Sequence, residues 1–83
     1  MGRYRKTYLG TAESALQDAD TNLKRIRTAC GYTQKELSLM SGASLRSIQM
    51  YEAGHKKINK ASAETVYRIA RVLGCSIEEL LEK

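Results

Sequence analysis

The 83-residue chain has no proline and few residues with strand preference, so helices dominate the expected fold. It has two cysteines, Cys30 and Cys75, far apart and outside any C-x-x-C spacing, and one histidine, His55. That scarcity excludes a Cys/His zinc site and argues against a disulfide framework, which makes a reducing cytoplasm the expected compartment. No apolar run is long enough to span a bilayer, so no membrane association is expected. The start, Met1-Gly2-Arg3-Tyr4-Arg5-Lys6, is charged without an apolar stretch behind it and does not read as a secretory signal. The length suits one domain, not two. Enzyme chemistry also lacks its ingredients: there is one histidine, no phosphate-binding loop, and no paired carboxylates outside acidic helix faces. No cofactor, metal or small-molecule ligand is expected.

What is present is charge with an uneven distribution. Fourteen Lys and Arg face nine Asp and Glu, a net charge of +5. Residues 1–6 carry Arg3, Arg5 and Lys6 without an acid, while residues 11–22 carry Glu13, Asp18 and Asp20 without a base. Residues 53–60 are basic again through Lys56, Lys57 and Lys60, and the end turns acidic with Glu78, Glu79 and Glu82. A fold that gathers the basic blocks would present one positive face to a polyanion.

Glycine supplies the punctuation. Gly31, Gly42, Gly54 and Gly74 each close an apolar-periodic segment, as helix C-caps do. N-caps follow: Thr33 with Glu36 and Ser76 with Glu79 have capping-box spacing, and Ser44 and Ser62 are simple caps. The spacing predicts five short helices at about 21–30, 34–41, 45–53, 63–73 and 77–82. Leu23, Ile26, Leu37, Ile48 and Tyr51 mark their inner faces. Val66, Ile69, Ala70 and Leu73 form a buried stripe, and Ile77, Leu80 and Leu81 close the core. Upstream, Ala12, Leu16 and Ala19 continue the spacing of Leu23, Ile26 and Cys30, so the first helix extends back towards Thr11 or is preceded by a second piece. Asp20-Thr21-Asn22 is its weak point, because these residues prefer caps to helix interiors.

The informative stretch is Thr33 to Glu52: two short helices joined by a tight turn at Gly42, with a small residue, Ser38, where a second helix would cross closely. The second of these helices presents Ser44, Leu45, Arg46, Gln49 and Met50 outwards around the apolar anchor Ile48. Such a face fits a major groove. Over about residues 23–81 the sequence resembles the phage repressor/Cro helix-turn-helix (XRE-like) family. The residues that carry the likeness are Gln34, Leu37, Gly42, Ile48, the Arg27 and Glu52 pair, and Ile69-Ala70, Leu73-Gly74, Ile77 and Leu80-Leu81. Ser38 and Ala43 depart from the family's usual alanine and larger aliphatic residue. Leu39 and Met40 are apolar where the family tends to be charged, which implies a cover over that helix.

The resemblance implies an all-α, compact five-helix repressor-like DNA-binding domain over residues 21–83, with residues 1–20 as a basic arm and N-terminal extension. It implies a transcriptional regulator, in the first place a repressor, bound to double-stranded DNA. Arg46 suits a bidentate contact to guanine, Leu45 and Met50 suit thymine methyls, and Gln49 suits adenine. Thr33, Gln34 and Ser44 at helix starts, with Lys56, Lys57 and Lys60 in the following loop, suit phosphates. Arg27 and Glu52 form a structural ion pair, since Glu52 at a helix C-terminus opposes the macrodipole and needs a cation. The alternatives are an antitoxin that binds DNA and a toxin-like protein partner, or a helix-turn-helix used for protein binding. The chain stops soon after the fifth helix, so regulation through a partner, abundance or dimerisation is expected. A homodimer is expected because one recognition helix reads only a few base pairs, with Ala12, Leu16 and Ala19 or Leu80 and Leu81 as its candidate surfaces.

Overall fold

A computed structural model describes residues 20–82. Five helices follow in order: α1 Asn22–Cys30, α2 Gln34–Ser41, α3 Leu45–Ala53, α4 Ala63–Leu73 and α5 Ile77–Leu80. A short 3₁₀ turn, Ile58–Lys60, lies between α3 and α4. Among the described residues there is no strand, and the fold is all-α. No described helix is long and apolar enough to cross a membrane. The expected basic arm at 1–10 and the apolar stripe from Ala12 to Ala19 lie outside the described residues.

Every α-helix among the described residues starts on a hydroxyl. Thr21, Thr33, Ser44, Ser62 and Ser76 each accept a hydrogen bond from the backbone N–H three residues on. Thr33 with Glu36 and Ser76 with Glu79 complete capping boxes. Each cap is worth about 1 kcal/mol, which matters for helices this short. Four of the helices end on the expected glycines, all with positive φ.

Thr21 excludes one of the two readings of the N-terminal stretch. Its ψ of 158° is extended and its side chain caps α1, so no continuous helix runs from Thr11 to Cys30. The fifth helix also ends sooner than its spacing predicts, at Leu80. The Asn22 side chain donates to the Leu81 carbonyl at 2.7 Å, and Asn59 brackets Glu82 by donating to its carbonyl and accepting from its N–H. These amides satisfy backbone groups that another helical turn would have used.

Leu23, Cys30, Leu37, Ile48, Ile69, Leu73 and Leu80 are almost fully buried and form one core with Ile26, Val66 and Ala70. Leu81 is only half-buried. Ile58 joins this core although no helical pattern surrounds it. It is the single apolar residue among Lys56, Lys57, Asn59 and Lys60, and it anchors the basic loop from beneath.

Candidate nucleic-acid interface

α2 and α3 are joined by the three residues 42–44, and that turn is held from several sides. Gly42 has φ 81°, in the left-handed region that a side chain disfavours. Ser38 donates from Oγ to the Ala43 carbonyl at 2.6 Å, and the buried Ser41 accepts at Oγ from the Ala43 N–H at 3.1 Å. Serine at 38 thus does more than permit close approach. It ties the first helix of the pair to the turn.

The far end of α3 is held by the expected ion pair. Arg27 Nε and Nη2 donate to the two carboxylate oxygens of Glu52 at 2.6 and 3.0 Å. Arg27 also donates to the Tyr32 carbonyl at 2.7 Å, and Gln34 Nε2 donates to Glu52 at 3.0 Å. The side chains are 11% and 3% exposed, so the pair is shielded from water. Thr21 adds a hydrogen bond to the Glu52 carbonyl at 3.3 Å. A single carboxylate therefore joins the middle of α1, the start of α2 and the end of α3. The angle at which α3 is presented depends on it.

Held at both ends, α3 exposes Leu45, Arg46, Gln49 and Ala53 along one stripe, at helical spacing. Met50 follows Arg46 one turn on, next to that stripe, but is partly covered. It is half-buried on the stripe of Ser47 and Tyr51, and its carbonyl accepts from the N–H groups of His55 and Lys56. Ala53, absent from the sequence-based face, takes a place there.

The stripe is bordered on both sides. On one, Gln49 and Ala53 share a hollow with Gln34, Arg27 and Lys24. Lys24 is a cation that the sequence pattern did not single out, and its position one turn before Arg27 was the available signal. On the other side, Lys56, Lys57 and Lys60 converge with Tyr51 and His55 around a hollow of about 500 Å³. His55 had no role from sequence, and Tyr51 only a place in the core. Their nearness to three lysines arises because the loop folds over Ile58.

The three capping or near-capping residues expected at phosphates are already engaged. Thr33 uses its hydroxyl and its N–H within the capping box, Ser44 spends its hydroxyl on Ser47, and Gln34 is held by Glu52. What their helices still offer are the free amides of the first turn, which carry partial positive charge.

A short helix crossing to a second, exposed helix with cationic flanks defines the helix-turn-helix class of DNA-binding domain. The family model described as Helix-turn-helix, HTH_3, matches residues 23–80, more than half of the chain, and the chain belongs to this family. Its kinship with the phage repressor/Cro (XRE-like) proteins is thereby established, and with it a DNA-binding helix-turn-helix regulator. No curated protein and no solved structure shows a significant match to the chain.

Proposed function

We propose that the protein is a sequence-specific repressor that binds double-stranded DNA as a homodimer, with α3 in the major groove. The observation that carries this reading is the exposed stripe of Leu45, Arg46 and Gln49, set between the Lys24 hollow and the Lys56, Lys57 and Lys60 hollow. A groove reader needs uncharged or bidentate side chains in the middle and cations at the two phosphate walls. Arg46 reads guanine, with Leu45, Gln49 and the partly covered Met50 supporting it. Phosphates are taken by the lysines and by the first-turn amides of α2 and α3 beside Thr33, Gln34 and Ser44. Two subunits supply the sequence length that one helix cannot read, and occupancy of a promoter-overlapping site suffices to repress.

The test starts with selection of a preferred duplex from a randomised pool. Arg46→Ala is then expected to cost about 1–3 kcal/mol on that duplex and to relax preference at one base pair. Equal loss on every sequence would make Arg46 a phosphate contact and overturn its assignment.

A further inference from the structure

The basic loop after α3 carries one polar residue that phosphate binding does not use. Asn59 lies between Lys57 and Lys60, and its side chain is bound to a residue 23 positions later. Nδ2 donates to the Glu82 carbonyl at 2.6 Å, and Oδ1 accepts from the Glu82 N–H at 2.7 Å. An amide that both donates to and accepts from one residue's backbone is fixed in orientation as well as in distance. Glu82 is held in its turn. Its carboxylate accepts from the Asn22 N–H at 2.6 Å, and the adjoining Leu81 carbonyl accepts from Asn22 Nδ2 at 2.7 Å. Residues 81–82 thus form a strap tied to the start of α1, beside the buried Leu23.

A 3₁₀ helix has three residues per turn, so it presents three directions about its axis. In the turn Ile58–Lys60 each direction is used. Ile58, 2% exposed, enters the core. Asn59 takes the strap. Lys60 closes the turn by donating its N–H to the Lys57 carbonyl at 3.0 Å, and both lysines line the hollow beside Tyr51 and His55. Burial of Ile58 holds the turn down but does not set its rotation, because the hydrophobic effect has no direction. The two hydrogen bonds of Asn59 supply that direction. With two sides of the turn fixed, the side that carries the lysines can face only one way.

We propose that Asn59 is a positioning residue for DNA binding: gripped by the backbone of Glu82, it sets the rotation of the Ile58–Lys60 turn and so aims Lys57 and Lys60 together at one phosphate wall. Asn59 acts through the lysines and touches no DNA itself. Two long side chains that start from a fixed base lose less freedom on reaching their phosphates than two on a pivoting turn. This rests on the DNA-binding reading above, and adds to it a contact remote from the recognition face.

Binding of the whole chain to a random-sequence duplex across a salt series tests it, with folding followed by circular dichroism. Asn59→Ala is expected to bind at least about threefold more weakly and to reduce the magnitude of the log K against log[salt] slope by about 0.9, one phosphate contact. In a chain that already carries Lys57→Gln and Lys60→Gln, the same change is expected to cost nothing further, because the groups through which it acts are gone. Glu82→Pro removes the N–H that Asn59 accepts, and the extended Leu81 before it (φ −70°, ψ 145°) tolerates a proline. It is expected to reproduce the loss, whereas Glu82→Ala, which keeps that N–H, is expected to bind as the wild type does. A wild type that does not bind the duplex would overturn the DNA-binding reading and this inference together. A wild type that binds, with Asn59→Ala and Glu82→Pro matching it in affinity and slope, would overturn the positioning role alone. So would an equal loss with and without the two lysines, which would make Asn59 a general prop of the fold.

Discussion

Glu52→Ala is expected to destabilise the domain by about 3 kcal/mol, although Glu52 lies on the helix that carries the exposed stripe. Three donors lose their acceptor at once: Arg27 Nε, Arg27 Nη2 and Gln34 Nε2. Arg27 keeps only the Tyr32 carbonyl, in a site where its side chain is 11% exposed. Breaking a buried pair from one side costs about 3–5 kcal/mol, because a desolvated charge is left behind. The water that still reaches Arg27 favours the lower end of that range. In a small helical domain this corresponds to a fall in melting temperature of about 12–24 °C, readily followed by circular dichroism. The companion experiment is a cycle of Arg27→Met, Glu52→Leu and the double variant. The double variant is expected to recover much of the loss, since apolar side chains of similar volume fill such sites without a stranded charge. Its DNA affinity is expected to stay low, because Gln34 no longer has the group that fixes the start of α2 to the end of α3. A single substitution that costs only about 0.5 kcal/mol, as an exposed pair would, or a coupling energy near zero, refutes the reasoning.

Two further outcomes are expected. Replacing Lys56, Lys57 or Lys60 by Gln should weaken binding to all duplexes alike and reduce the magnitude of the log K against log[salt] slope by about 0.9 for each phosphate that is no longer neutralised; an unchanged slope for all three rules out the phosphate role. Gly42→Ala should cost about 1–2 kcal/mol in thermal or urea unfolding, through its left-handed backbone alone. A Cβ there would meet only Arg68 Nη1, at an ordinary 3.5 Å. Gly42→Asn should cost less, and an alanine variant as stable as the wild type contradicts the argument.

Helix boundaries were legible because they are written in local chemistry. A hydroxyl that accepts the N–H three residues on, or a glycine that accepts positive φ, acts within a few residues of itself, so Thr33, Ser44, Ser62 and Ser76 mark their helices without reference to the rest of the chain. The boundary that failed shows the limit of this logic. Residues 81–82 leave the helical path because Asn22 and Asn59, about sixty and twenty residues earlier, take their backbone groups. No spacing within 77–82 contains that fact.

The candidate site divides in the same way. Which residues can occupy the exposed face of α3 follows from helical periodicity about Ile48, and Arg46 and Gln49 are placed by counting residues. Arg27 and Glu52 were paired by family likeness and by the unfavourable charge of Glu52 at its helix end. That Gln34 and the Tyr32 carbonyl share the same knot depends on how α1, α2 and α3 meet. Met50 is partly covered, and Lys24 and His55 came to border the site, for the same reason. Sequence alone determined the existence of the five helices, the N-caps of the last four and most of the residue types that α3 shows to solvent, because each is settled by interactions within one or two turns. Only tertiary structure decided which cations flank that face, through Ile58 drawing the lysine loop onto the core and through the Glu52 carboxylate, whose donors lie on two other helices.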